Sequence, residues 1–230
     1  MHLFDTNCTN CSDPLVVDNT KAVDFVIRDG KLEKYNGSST DIVIPETVKE
    51  IGREAFKGCG SMASVLIPNS VTTIGNHAFE GCSKLTTVTI PEGVTSIKWG
   101  TFEGCSSLTA ITIPNSVTTI GIRAFVGCSS LTTITIPDGV TYIGESAFED
   151  CVSLTSVILP NSVTEIGWRV FKGCKSLASI TIPPSVTELG IMSFENCTSL
   201  TSVTLPNAIP VFYYPYYFKG TPFLRHWKKK

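Results

Sequence analysis

The sequence predicts a right-handed solenoid, a single coiled and mainly β chain of short parallel strands with little regular helix, capped at both ends. Three observations predict it. Proline recurs at one fixed interval, at Pro45, Pro68, Pro91, Pro114, Pro137, Pro160, Pro183 and Pro206, without one slip of register. Ahead of each proline runs an apolar pattern such as Leu85-x-x-Val88-x-Ile90, the alternation of a short strand with one buried face. A third position, just before the recurrent cysteine, is held by Gly58, Gly81, Gly104, Gly127, Asp150, Gly173 and Asn196, the residue types that visit positive φ most readily.

One unit shows why the chain should coil. Fixed periods of 20–29 residues mark leucine-rich repeats and related coils, whose units bury their apolar faces only against their neighbours. Pro91 ends the strand, because it has no N–H to continue a ladder. Val94 and Ile97 then give a second, shorter extended piece across the coil. Phe56, Phe79, Phe102, Phe125, Phe148, Phe171 and Phe194 recur in register and should stack into a spine. A second glycine column (Gly52, Gly75, Gly121, Gly144, Gly167, Gly190) is interrupted by Lys98, so that position prefers glycine without strictly needing it. Seven of the nine cysteines (Cys59, Cys82, Cys105, Cys128, Cys151, Cys174, Cys197) share the period. An odd number of equivalent thiols cannot all pair with one another, so a ladder of buried thiols is expected.

The ends depart from the unit. Residues 1–24 read as a flexible polar leader. Its Cys8-x-x-Cys11 lacks the further ligands of a structural zinc site, which leaves a plain leader, a local disulfide or redox pair, or zinc as its readings. Residues 25–44 read as a capping hairpin, turning at Asp29-Gly30, and a first strand. Residues 45–205 hold seven repeats, each one proline interval long. Residues 206–230 form an aromatic cap with a basic tail: Phe212-Tyr213-Tyr214-Pro215-Tyr216-Tyr217, then Phe218-Lys219-Gly220-Thr221, which echoes Phe56-Lys57-Gly58-Cys59 one residue late. That cap reads as a seal on the core or as an aromatic platform for a ligand.

Composition excludes several classes of function. Arg225 and Lys228 to Lys230 leave 14 basic against 20 acidic residues elsewhere, which is not a nucleic-acid-binding balance. The tail itself is a solvated end or a contact for an anionic surface. No stretch approaches the ~20 apolar residues of a membrane span. Met1 to Asp18 show neither the basic nor the apolar region of a secretory signal, so the expectation is a cytoplasmic chain or one whose leader has been removed. His2, His77 and His226 are scattered, and no catalytic or phosphate-binding motif occurs. A non-enzyme without cofactor or metal is expected.

The unit I-P-x-x-V-T-x-I-G-x-x-A-F-x-G-C-x-x-L-T-x-V-T, as in Ile113-Pro114-Asn115-Ser116-Val117-Thr118-Thr119-Ile120-Gly121 followed by Ala124-Phe125-Val126-Gly127-Cys128, resembles the BspA-like class of leucine-rich repeats. The likeness covers about residues 42–222. It implies a non-catalytic protein-recognition module, cell-surface or secreted, of the adhesion type found in bacteria and protozoa, with a host or matrix protein as partner. An intracellular or structural scaffold that self-associates as a homo-oligomer is the alternative, and a glycan-binding surface a second one. The resemblance carries no binding residue, since the matched positions are scaffold.

Outward positions supply the candidates. On the main strand, Thr87, Thr89, Thr112, Thr133, Thr135, Thr181 and Thr204 should form a hydroxyl-bearing sheet face for a protein or glycan, unless β-branched threonine is there only because it suits strands. The other candidates lie after the interrupted glycine column. There Arg53, Asn76, Trp99, Ile122, Glu145, Trp168 and Ile191 form one variable column, and Glu54, His77, Gly100, Arg123, Ser146, Arg169 and Met192 the next. Such variety suggests that the coil does not dictate these positions. Trp99, Ile122, Arg123, Trp168 and Arg169 are the candidate interface anchors, with indoles folded back over the Phe spine as the competing arrangement.

Overall fold

The computed structural model describes residues 24–227, and it is a β-solenoid. Each coil carries one long and one short strand. The long strands are β3 (Asp41–Val43), β5 (Ser64–Leu66), β7 (Thr87–Thr89), β9 (Ala110–Thr112), β11 (Thr133–Thr135), β13 (Ser156–Ile158), β15 (Ser179–Thr181) and β17 (Ser202–Thr204). The short ones are β4 (Glu50–Ile51), β6 (Thr73–Ile74), β8 (Ser96–Ile97), β10 (Thr119–Ile120), β12 (Tyr142–Ile143), β14 (Glu165–Ile166) and β16 (Glu188–Leu189). Pairing between equivalent strands is parallel, with partners one repeat apart, such as Val88 with Ile111 and Ile120 with Ile143. The apolar signature is wider than the strand it marks: Leu85 and Ile90 are buried but flank β7, and Val94 is buried ahead of β8.

A spine of rings runs through the coil. Phe56, Phe79, Phe102, Phe125, Phe148, Phe171, Phe194 and Phe218 are fully buried, with successive centroids 5.1–5.6 Å apart and planes within 14°. Offset stacking of this kind adds about 0.5–1.5 kcal/mol per pair to the burial itself. At the N-terminal end the hairpin of β1 (Phe25–Arg28) and β2 (Lys31–Tyr35) continues the structure. Its Tyr35 ring stands 5.5 Å from Phe56, and β2 pairs in parallel with β4. At the other end a 3-10 turn (Val211–Tyr213), α1 (Tyr214–Tyr217) and α2 (Pro222–Trp227) bring Tyr214 and Phe223 against Phe218. Phe218 keeps its place in the spine although it comes one residue late.

The glycine-type position before cysteine is left-handed in all seven repeats, with φ between 58° and 74° at Gly58, Gly81, Gly104, Gly127, Asp150, Gly173 and Asn196. The turn it makes carries cysteine inward. Thiols from Cys82 to Cys197 are buried and unpaired, and each donates to the carbonyl of the phenylalanine 26 residues earlier: Cys82 Sγ to Phe56 O at 3.1 Å, Cys105 to Phe79 at 3.1 Å, Cys128 to Phe102 at 3.2 Å, and so on to Cys197 and Phe171 at 3.0 Å. Burial pushes the half-buried Cys59 thiol up to about 11 and Cys197 up to about 12; it holds Cys128, Cys151 and Cys174 well above the ordinary thiol range. Cys8 and Cys11 lie outside the described residues.

Two outcomes follow. Phe125→Ala removes the middle ring of the spine and should lower unfolding free energy by about 3–5 kcal/mol in a denaturant titration. Alkylation by iodoacetamide at pH 8, followed by peptide mass mapping, should mark Cys59 first among the cysteines of the described residues and spare Cys82 to Cys197 until the protein is unfolded.

Candidate protein-recognition surface

A second left-handed position occurs in every coil, and it sets the geometry of the surface. Glu54, His77, Gly100, Arg123, Ser146, Arg169 and Met192 all have φ between 56° and 62°, although only one of them is glycine. These residues stand next to the variable column, and their backbone is dictated after all. Each donates its N–H to the column carbonyl of the following coil or its counterpart in the cap: Glu54 to Asn76 at 3.0 Å, His77 to Trp99 at 2.8 Å, Arg123 to Glu145 at 2.9 Å, Arg169 to Ile191 at 3.1 Å and Met192 to Tyr216 at 2.9 Å. A non-glycine residue in this conformation costs ~1–2 kcal/mol. The coil-to-coil hydrogen bonds hold it there.

The consequence is a backbone fixed on both sides of the column and side chains turned outward. Trp99 is 50% exposed, Ile122 43%, Trp168 57% and Ile191 42%. The indoles therefore do not fold back over the Phe spine; the ring that Trp99 meets is His77, at 5.0 Å. The guanidinium groups are less free. Arg123 grips Glu103 with two hydrogen bonds, Nε to Oε2 at 3.1 Å and Nη2 to Oε1 at 2.5 Å, and Arg169 reaches Glu145 at 3.4 Å. They continue a run of ion pairs between coils, with Lys57 to Glu80 at 3.1 Å, Lys172 to Glu149 at 3.0 Å and Lys219 to Glu195 at 3.1 Å. The more exposed of these, such as Lys57 to Glu80, contribute about 0–1 kcal/mol each. What remains as an anchor is apolar: two Trp-Ile pairs, Trp99 with Ile122 and Trp168 with Ile191, separated by Glu145.

Lys98 shapes the ground beside the first pair. Glycine recurs at its position because adjacent coils touch there: a Cβ on Gly75 would lie 2.6 Å from the Arg53 nitrogen, and one on Gly121 2.8 Å from the Lys98 carbonyl carbon. Lys98 carries the Cβ that this approach forbids, and the coils part. Elsewhere the glycine N–H bonds the carbonyl of the preceding short strand, as Gly75 to Ile51 and Gly121 to Ile97, both within 2.8 Å. The bonds from Lys98 to Ile74 and from Thr95 to Thr72 are missing, and β6 does not pair with β8. An open depression of 370 Å³ lies beside Lys98 on the other side, over β8, β10 and β12, lined by Trp99, Ile122, Ile97, Tyr142, Asn76 and Lys98 among others. Gly100 completes the change, because a Cβ there would lie 2.4 Å from His77 Nδ1.

The threonines form a separate face. Thr87, Thr89, Thr112, Thr133, Thr135, Thr181 and Thr204 are all exposed on the long strands. Among the described residues their hydroxyls have no hydrogen-bond partner, whereas flanking Thr86, Thr109 and Thr155 donate to carbonyls one coil earlier at 3.0–3.1 Å. Their surface is broken by Val43, Leu66 and Ile158, each more than 60% exposed. It also parts between β9 and β11 and between β13 and β15, where depressions of 290 and 350 Å³ open. The structure does not bring this face together with the tryptophans, which stand at the turn leaving the short strands. No group of described residues could hold a metal ion, and no helix among them is long and apolar enough to cross a membrane.

The model of the BspA type leucine-rich repeat region matches residues 33–153 and 118–226, with six copies. The chain belongs to this family. Among solved structures, a leucine-rich repeat protein of T. pallidum is 32% identical with a TM-score of 0.70, over 84% of this chain and 90% of that one. One from Bacteroides ovatus is 35% identical with a TM-score of 0.72, over 81% of this chain and 54% of that one. One from Eubacterium ventriosum is 30% identical with a TM-score of 0.70, over 79% and 49%. This chain thus spans about half the length of the last two. A comparison with curated proteins finds no match. BspA-type solenoids are generally non-catalytic, and leucine-rich repeat domains generally mediate protein interactions.

Ile191, Asn76, Tyr142 and Lys98 are the surface residues that sequence reasoning left out of the site. The usable signal was Lys98-Trp99-Gly100-Thr101, a run of departures from G-x-x-A in one coil. Lys98→Gly should close the gap. Two hydrogen bonds worth ~1 kcal/mol each are opposed by glycine's ~1 kcal/mol of extra chain entropy, so global stability should rise by only about 1 kcal/mol. Amide hydrogen exchange at residues 95 and 98 should slow severalfold.

Proposed function

We propose that this BspA-type solenoid is a non-catalytic protein-recognition module of a bacterial cell surface, of the adhesion type, whose partner is a host or matrix protein. The observation that carries the reading is the apolar stripe Trp99, Ile122, Trp168 and Ile191, held outward by a left-handed turn in each coil, with a depression beside its first pair. Large apolar side chains presented on a fixed backbone are what a hot spot needs, because little backbone freedom remains to be lost on binding. Arg123 and Arg169 border the stripe as rim charges. Family membership supports the surface or secreted setting, and the unbonded threonine hydroxyls make the sheet face a second place for a protein or glycan.

One feature of the stripe favours self-association as the second reading, which also suits an intracellular or structural scaffold. Its Trp-Ile pair occurs twice, three coils apart. A two-fold axis through Glu145 would lay Trp99 and Ile122 of one copy over Trp168 and Ile191 of another, an isologous contact.

A binding screen against immobilised matrix proteins and glycans, run beside sedimentation of the protein alone, separates the readings. Trp99→Ala with Trp168→Ala should weaken capture of a matrix protein at least about tenfold while the circular dichroism spectrum stays unchanged. Undiminished capture would move the site to the threonine face. Concentration-dependent dimerisation lost in the double variant would support the scaffold.

A further inference from the structure

The long strands of the solenoid associate in pairs of coils. Ladders of three residues join β3 to β5, β7 to β9, β11 to β13 and β15 to β17. Between these pairs the ladder fails: β5 meets β7 at one residue only, β9 is not paired with β11, and β13 is not paired with β15. Where strands are joined, the N–H that follows the strand donates to the next coil, as Ile90 to Thr112 at 3.1 Å and Ile182 to Thr204 at 2.9 Å. Ile113 and Leu159 stand at the same position, and their N–H groups find no acceptor among the described residues. The crevices that open there, of 290 and 350 Å³, uncover part of Ile111 and Ile113 in one and of Leu159 in the other, although Ile134, Ile136 and Ile182 at matching positions are buried.

The same alternation marks the turn after each long strand. The residue following the proline reads Asn69, Glu92, Asn115, Asp138 and Asn161, an amide on every second coil with a carboxylate between. Asn115 lines the first crevice and Asn161 the second, and both side chains are exposed and unbonded among the described residues. No lysine or arginine lines either crevice. Equivalent points of the two crevices lie two coils apart, roughly 10 Å at one strand spacing per coil. A peptide strand cannot enter between the parted coils, because it would double the ~4.8 Å between them while the Phe rings behind hold the coils at 5.1–5.6 Å.

We infer that this face binds an unbranched chain of β-1,4-linked N-acetylglucosamine laid along the solenoid axis, with the acetamido group of every second sugar entering a crevice. The inference rests on the sheet face being a recognition surface and does not depend on what the Trp stripe binds. An acetamido group is a small amide, which is the partner the parted strands lack. Its carbonyl accepts from the N–H of Ile113 or Leu159 and from the Asn115 or Asn161 amide, and its methyl group covers the aliphatic side chains that the crevice uncovers. In an extended chain of this linkage successive sugars face opposite ways, so acetamido groups on one side recur once per disaccharide, a length close to two coils. The sugar between crevices brings its hydroxyls toward Thr135 and Asp138, whose oxygens accept hydrogen bonds. Glu92 and Asp138 repel uronate and sulfate groups, so the charge on this face selects a neutral glycan.

The test is isothermal titration calorimetry of the full chain with the N-acetylglucosamine hexamer, beside its dimer and beside cellohexaose, which keeps the linkage and lacks the acetamido groups. The hexamer reaches both crevices and the dimer only one, so the hexamer should bind at least roughly tenfold more tightly. Cellohexaose should bind at least roughly tenfold more weakly than the hexamer. N115D/N161D removes the amide donors, and Asp138 shows that the matching turn accepts aspartate. With an unchanged circular dichroism spectrum, this variant should lose at least roughly tenfold in affinity, while W99A/W168A should bind as the unaltered chain does. Bound hexamer should also slow amide hydrogen exchange at residues 113 and 159. Equal binding of cellohexaose, undiminished binding by N115D/N161D, or no binding of the hexamer at millimolar concentration would each overturn the inference. If the hexamer fails to bind while N115D/N161D weakens capture of a matrix protein, the sheet face stands as a protein surface and only the glycan is lost. If neither responds, the sheet face itself falls as a recognition surface.

Discussion

Rings of Phe56 through Phe218 lie one above another at 5.1–5.6 Å, and that spacing is close to the ~4.8 Å between hydrogen-bonded strands. The near match is the constraint on which the molecule depends. A coil must present a flat ring at the same place as its neighbours, and its strands must meet theirs in register. Everything between ring and strand has then to fit a rise of one strand spacing. The thiols occupy that rise by donating to the phenylalanine carbonyl below, a contact that satisfies an acceptor deep in the core without adding volume. Serine hydroxyls do the same at a second corner, Ser116 to Val94 and Ser185 to Val163, both at 2.7 Å.

That rise also decides where the sequence is free to vary. At Gly75 or Gly144 the backbones of successive coils come so near that a side chain would strike main-chain atoms, and main chain cannot step aside cheaply. At Arg123 or Met192 the restriction is of another kind. The backbone is left-handed, yet the side chain does not strike the main chain of a neighbouring coil, so many residues are tolerated at a modest conformational cost. Between these two restrictions stands the column of Trp99, Ile122, Trp168 and Ile191, whose carbonyl is engaged and whose side chain is not. A rigid lattice thereby offers one variable, outward position per coil, at regular spacing and with a fixed orientation.

How much of this was legible in the sequence follows from the same geometry. The period, the parallel strands, the Phe spine and the left-handed turn before cysteine were all readable, because each rests on a residue type that has no good substitute there. The second left-handed turn was not. Glu54, His77, Arg123, Ser146, Arg169 and Met192 give no compositional hint of positive φ, since the turn is imposed by hydrogen bonds between coils and by nothing in the residues themselves. Exposure of the indoles was undecided for that reason: only the direction of the turn settles whether Trp99 points at Phe102 or away from it. Of the named anchors, Arg123 could not be known to face Glu103, because those residues meet across two coils.

In a repeat protein the informative residues are those that break the repeat where the lattice would punish it. Lys98 is the sharpest case. A glycine there would complete the short-strand sheet, and the lysine instead opens it by two hydrogen bonds and lines a depression beside Trp99. The neighbouring Gly100 makes room for His77, which a side chain at that place would strike. Each departure is unfavourable or neutral for the coil taken singly, and Lys98 and Trp99 line a concave, partly apolar recess with Ile122 and Tyr142. The parting of β9 from β11 and of β13 from β15 obeys the same logic, since a lattice built for closure alone would pair them. Departures that weaken or exceed the needs of the scaffold are where a partner's requirements are the remaining physical explanation.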